Sequence, residues 1–216
     1  MVINLSERYP LLSSWLCELR EIQSQSDRMR FRYNLERVGE LAALEISKQL
    51  EYEDKEIQTP LGLSTGKVLK SQPALATILR AGLPLHNGML RIFDKADNVF
   101  IAAYRRHTHD SSLEVEIDYI SAPEIDGRVL IVADPMIATG ASLAKTLQYL
   151  LEEGRPKEIH VVAAVACTVG IEHVLSMAPD ITIWCAGIDE ELTAKGYIVP
   201  GLGDAGDLSF GPGVPL

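Results

Sequence analysis

The sequence predicts an α/β protein built on a doubly wound, mostly parallel sheet. Three observations carry that reading. Five short apolar runs, "ALATILRAG", "NVFIAAYRR", "RVLIVAD", "IHVVAAVACT" and "ITIWCAGID", lack polar alternation, as strands do when both sheet faces are covered. Helical spacing fills the gaps after the third and fourth runs, in "SLAKTLQYLLEEG" and "GIEHVLSMAP", so the order reads β-α-β-α-β. The chain has 216 residues, 47% of them apolar, which suits one α/β domain spanning 1–216.

The first third reads as helical. "RFRYNLERVGELAALEISKQL" sets Phe31, Leu35, Val38, Ala42, Ile46 and Leu50 near one helical face. A polar stretch follows and turns around Pro60-Leu61-Gly62. The net charge is −10, so the surface as a whole repels nucleic acid and acidic membranes, and an anionic ligand must be held by local groups. Cys17, Cys167 and Cys185 are odd in number and far apart; they read as reduced core thiols rather than a disulfide framework or zinc site. The start lacks a signal-peptide pattern and no apolar run reaches a membrane span, so a cytoplasmic location is expected.

In open α/β sheets, ligands sit beyond the carboxyl ends of the strands. Those ends carry Arg80, Arg105, Asp134 and Asp189. The third end opens into "DPMIATGAS", where small residues lead to a helix start. Such a turn lets backbone amides and the positive helix end approach an anion, with Thr139 and Ser142 adding hydroxyls. Ser142 also fits a plain helix cap. The stretch matches neither a P-loop nor a dinucleotide fingerprint. Alone, "ILRAG" is equally a strand end with a solvated arginine. His107 and His109 share one strand face, but no Cys, Asp or Glu set completes a zinc site.

The apolar strand, the acid and the Thr-Gly turn resemble the ribose-phosphate motif of the type I phosphoribosyltransferases, in the variant of the uracil phosphoribosyltransferase family. "GYIVPGLGDAGDLSFG", residues 196 to 211, is similar to that family's base-binding signature; "ILRAGLP", Tyr104-Arg105 and "RFR" match in the same order. The resemblance implies N-terminal helices, a C-terminal base-binding hood, and transfer of a phosphoribosyl group from phosphoribosyl pyrophosphate (PRPP) to uracil, giving UMP. It implies that Asp134, Pro135, Met136, Ile137, Ala138, Thr139, Gly140, Ala141 and Ser142 hold PRPP, that Arg80 and Arg105 clamp its pyrophosphate, and that Ile198, Gly203, Asp204 and Ala205 read uracil. Asp204 also faces the phosphoribosyl group. Arg80, Arg105, Asp134 and Asp204 are thus the expected catalytic set. Magnesium is the implied cofactor, held mainly by PRPP and through water by Asp204 rather than by direct side-chain ligation. The implied assembly is a homodimer or larger homo-oligomer.

Pro135 and Ala138 stand where many of these enzymes carry acids, so this loop offers no base for the uracil N1 proton. Pro84 and Ala141 replace expected glycines. The alternative from another class is a non-catalytic, UMP-responsive, RNA-binding regulator on the same fold. It would want a basic stripe, and the sequence offers little beyond Arg28–Arg32 and Arg105-Arg106.

Overall fold

A computed structural model describes residues 1–107 and 113–213, and only the backbone of 104–107 and 113–115. The chain opens with an edge strand β1 (Val2–Asn4) and three helices, α1 (Pro10–Arg20), α2 (Ile22–Gln25) and α3 (Arg28–Ser47). Asp27 caps α3 by accepting from the Met29 and Arg30 amides. The helix stops at Ser47; Leu50 lies beyond it and is only partly buried, because the last amides close tighter i to i−3 turns. The expected stripe from Phe31 to Ile46 is buried, with Phe31, Leu35, Val38 and Ile46 each contributing about 1.5–3 kcal/mol.

Residues 52–69 form an exposed hairpin of β2 (Tyr52–Thr59) and β3 (Gly62–Leu69). Its sequence shows no alternation because both faces lie largely in solvent, and only its end, at Leu69, packs on the core. The remaining elements are β4 (Ala74–Leu79), α4 (Leu83–Ile92), β5 (Asp97–His107), β6 (Leu113–Ser121), β7 (Val129–Ala133), β8 (Met136–Ile137), α5 (Ala141–Glu153), β9 (Glu158–Cys167), α6 (Thr168–Met177), β10 (Thr182–Asp189), β11 (Glu191–Leu192), β12 (Ile198–Val199) and α7 (Ala205–Phe210). Pro84 sits buried in the first turn of α4, where its missing amide proton is no loss.

The main sheet runs β1-β10-β9-β7-β4-β5-β6, parallel except for β5 with β6, and β8 pairs with β9 beyond the end of β7. Each face has its own core. Val162, Ala164 and Trp184 meet α1, α3 and α4 residues on one face; Val161 and Ala163 meet α5 and α6 residues on the other. Burial on both faces is why the strands read as continuous apolar runs. Strands β4 and β7 are neighbours, and the chain then builds outward from each in opposite directions. Their carboxyl ends therefore flank the switch point of the sheet.

Cys167 and Cys185 are free and buried, and burial pushes the Cys185 thiol up to about 12. Cys17 is free but exposed, not a core thiol, because it lies on the outer side of α1. Among the described residues no helix is long and apolar enough to cross a membrane.

Two buried histidines predict the acid response. Burial holds His86 and His160 below the usual 6.5. In the unfolded chain both take up protons near that pH, while in the folded chain burial delays that uptake to lower pH. The unfolded state then binds more protons, so stability falls as pH drops below about 6.5. Hydrogen bonds from Arg30 and Asn34 hold Glu18 at about 2, against 4.5 unfolded, so a further loss is expected below about 4.5. Thermal melts should show a flat Tm above pH 7 and a decline from there to pH 5. His160→Asn, which can still accept from Trp184 Nε1, should reduce that slope.

Candidate active site

The site is assembled from the ends of β4 and β7 and from the C-terminal segment. Asp134 follows β7, and its carboxylate accepts from the Met136 amide at 3.3 Å, so the side chain stands up at the strand tip. Gly140 then takes φ +76 and caps α5. Ser142 is consequently not the helix cap; it occupies the second helical position, because the left-handed glycine starts the helix two residues earlier than a Ser142 cap would. The Ser142 and Leu143 amides at this helix start have no intrahelical acceptor, and both residues line the smaller hollow beside it.

Helix α6 buttresses the turn from behind. A side chain at Gly140 would come within 2.6 Å of the Gly170 carbonyl oxygen and 2.9 Å of Val174. His173 Nδ1 lies 2.8 Å from the Thr139 carbonyl oxygen, a contact nothing in the local sequence signals.

Across from this turn lies the hood. The β11–β12 ribbon pairs Leu192 with Ile198, and the chain then folds through Gly201 and Gly203, both at positive φ, into α7. Asp204 caps α7 by accepting from the Asp207 amide at 2.9 Å. Gly196 approaches Thr139, so that a β-carbon there would sit 3.4 Å from its methyl. Hood and turn thus close on one another.

Between them is a cleft of about 370 Å³. Asp134, Pro135, Met136, Ala138, Ser142, Ile198, Gly203, Asp204 and Ala205 line it, joined by Gly196 and Tyr197, which sequence reasoning did not single out. A smaller hollow of about 130 Å³ shares Asp134, Met136, Ala138 and Ser142 and adds Ile137, Thr139, Gly140 and Ala141. All the residues expected to hold PRPP or uracil, other than the two arginines, therefore meet at one place. Asp134 and Asp204 supply hard carboxylate oxygens to the wall. Among the described residues no three His, Cys, Asp or Glu groups cluster as a metal site. This donor set fits a magnesium ion whose other oxygens come from substrate and water.

The two arginines differ. Arg80 donates to the Gly211 carbonyl at 3.1 Å and to Asp207 at 2.9 Å, and a β-carbon on Gly206 would lie 3.4 Å from its guanidinium and 3.2 Å from Asp204. It is 47% exposed and lies beside the cleft, tied to the tail. The side chain of Arg105 lies outside the described residues; its backbone pairs with Val115, two residues beyond Ala103, which lines the cleft. His109 also lies outside the described residues, as does the side chain of His107.

Asp189 is not a rim charge facing ligand. It is 7% exposed and paired with Arg20, because the hood folds over the end of β10. Arg30 is paired with Glu18, and Arg32 donates to the Ser209 carbonyl and lies over Phe210. These cations have partners within the chain, and the regulator alternative finds no support.

An acid and a Thr-Gly turn at the switch point of a parallel sheet, faced by a small C-terminal hood, define a type I phosphoribosyltransferase. The fold is similar to that of a purine phosphoribosyltransferase from Pyrococcus horikoshii, with a TM-score of 0.50 at 14% identity, covering 73% of this chain and 90% of that chain. The chain belongs to the uracil phosphoribosyltransferase family: the model of that family matches residues 6–212. It is 44% identical over 211 residues to a uracil phosphoribosyltransferase of Porphyromonas gingivalis, covering 97% of this chain and 98% of that protein. It is 36% identical over 208 residues to one from Thermococcus gammatolerans, covering 95% and 91%. A solved Aquifex aeolicus structure matches with a TM-score of 0.88 at 30% identity, covering both chains completely.

Proposed function

We propose that the chain transfers the 5-phosphoribosyl group of PRPP to N1 of uracil, releasing UMP and pyrophosphate in pyrimidine salvage. One observation carries the reading: the hollow at the Thr139 turn and the cleft at the Ile198–Ala205 turn adjoin, and Asp134 lines both.

The bond from C1′ to pyrophosphate breaks as N1 bonds to C1′, and positive charge builds on the sugar while negative charge builds on the leaving group. Catalysis then rests on holding both ends in place. Amides at the start of α5, with Thr139 and Ser142, bind the 5′-phosphate. Asp134 accepts from the ribose hydroxyls and orients the ring. Arg80 exchanges Asp207 for pyrophosphate, with Arg105 as its partner. Bound magnesium would neutralise charge on the leaving pyrophosphate, with Asp204 reaching it through water. Pro135 and Ala138 carry no base, so the N1 proton leaves to a group outside this turn. One hydrophobic core unites the N-terminal helices, the sheet and the C-terminal segment, which supports reading 1–216 as one domain. The hairpin β2–β3, with exposed Leu61 and Leu63, is of a kind that gains stability only against another surface; this supports a homodimer or larger homo-oligomer. Salvage from PRPP fits a cytoplasmic enzyme.

The direct test mixes pure protein with uracil, PRPP and magnesium and measures UMP; none formed would overturn the reading. Two variants extend it. Arg80→Ala removes a charged hydrogen bond from the transition state and should lower kcat/KM by about 10- to 150-fold. Asp207→Asn, which loosens the same tail contact without removing the arginine, should not match that loss. Asp204→Asn should lower turnover by about tenfold or more while uracil stays preferred over cytosine. Asparagine caps helices as well as aspartate, so α7 should persist and the loss should report charge.

A further inference from the structure

We infer that Arg20 and Asp189 are positioning residues for uracil, holding the base-reading turn through both main-chain groups of Gly201; this rests on the phosphoribosyl transfer proposed above. Arg20 ends α1 and Asp189 ends β10. The guanidinium meets the carboxylate in a two-bonded fork, Nη1 to Oδ2 and Nη2 to Oδ1, each at 2.8 Å. Arg20 Nη1 also donates to the Gly201 carbonyl at 3.0 Å, and the Gly201 amide donates to Asp189 Oδ2 at 3.0 Å. The three groups close a ring in which a mostly buried ion pair, with side chains 22% and 6% exposed, grips one residue of the hood by its donor and its acceptor together.

That residue controls the turn. Gly201 has φ +59, and a β-carbon on it would run into the Ile198 carbonyl oxygen. The chain is thus folded back on the residue expected to present main-chain groups to uracil, and Gly203 and Asp204 follow within three positions. Moving Gly201 moves Ile198 with it. A second tie comes from the same N-terminal helices: Gln25 Nε2 bridges the Leu19 and Leu202 carbonyls at 3.0 and 3.3 Å. None of Arg20, Gln25 or Asp189 lines the cleft, so they act on the base through the turn. The phosphate turn rests instead on α6. Damage to the brace should therefore separate the two substrates, which general destabilisation would not do.

The experiment compares Arg20→Lys, which keeps the charge but loses the fork, with Asp189→Asn and Gln25→Ala. Thermal unfolding first establishes which variants fold; KM for uracil and for PRPP are then measured separately. Displacement of a reading turn by about 1 Å can change kinetics by about 100-fold. The expected result for the two brace variants is a rise in uracil KM of about 10- to 100-fold, with PRPP KM within about threefold of the parent. Gln25→Ala should give a smaller rise confined to uracil. Equal rises for both substrates, or an unchanged uracil KM in a folded brace variant, would overturn the inference. If neither brace variant folds, Gln25→Ala decides it, and an unchanged uracil KM there overturns it. A parent protein that forms no UMP is a different failure, seen before any variant is made: it removes the functional reading and this inference with it.

Discussion

UMP formation from uracil is expected to exceed the corresponding reaction of cytosine by about 10⁴-fold or more in kcat/KM. Uracil presents acceptor, donor and acceptor along O2, N3–H and O4. A turn that meets this edge with amide, carbonyl and amide satisfies every group. Cytosine sets its amino donor against an amide donor and its bare N3 against a carbonyl. The turn is suited to such discrimination because Ile198 and Ala205 are buried, at 5% and 3% exposure, and a shielded group left unpaired carries its full desolvation penalty. The reading is done by main chain, so Ile198→Ala should cost about 2–5 kcal/mol of stability without changing base preference. Steady-state rates with each base measure the ratio. Comparable use of cytosine, or of a purine, would remove the hood from the argument.

Gly140→Val should be the most damaging single change at the phosphate end. The sequence suggests that bulk there would block the approach of phosphate. The structure sends that bulk elsewhere: it meets the Gly170 carbonyl oxygen at 2.6 Å and Val174 at 2.9 Å, on α6 rather than in the hollow. Valine is also poorly suited to φ +76, a left-handed conformation costing an L residue about 1–2 kcal/mol. The turn must therefore shift, taking with it the amides at the start of α5. PRPP KM is expected to rise by about 100-fold, uracil KM far less, and Tm to fall by roughly 2–8 °C. Kinetics with each substrate varied in turn, alongside thermal melts, check this. Parallel rises in both constants would mean that the turn serves the cleft as a whole rather than the phosphate.

Much of this was legible because it is local. Five apolar runs without alternation determined that the strands are covered on both faces, and the stripe from Phe31 to Ile46 determined the packed face of α3. The position of Asp134 after an apolar strand marked the rim where a ligand binds. The tail from Gly196 to Gly211 carried the resemblance to a base-binding hood. Periodicity, turn chemistry and strand ends need only neighbours within a few residues.

What escaped the sequence depends on partners far along the chain or on surfaces that leave no pattern. The β2–β3 hairpin has both faces largely in solvent, so no alternation announces it. The edge strand β6 and the three-residue β1 are defined by what they pair with. Ser142 looks like a helix cap until Gly140 turns left-handed against α6. Asp189 looks like a ligand-facing acid until Arg20, 169 positions earlier, covers it. Arg80 looks free until Asp207 and Gly211 come back to meet it. The sequence by itself determined the class of fold, the strand tips and the chemical character of the two turns. Only the tertiary structure decided which charges face the cleft and which hold the hood, because a charged side chain is committed by the partner that folding brings within hydrogen-bonding distance, and no local pattern encodes that distance.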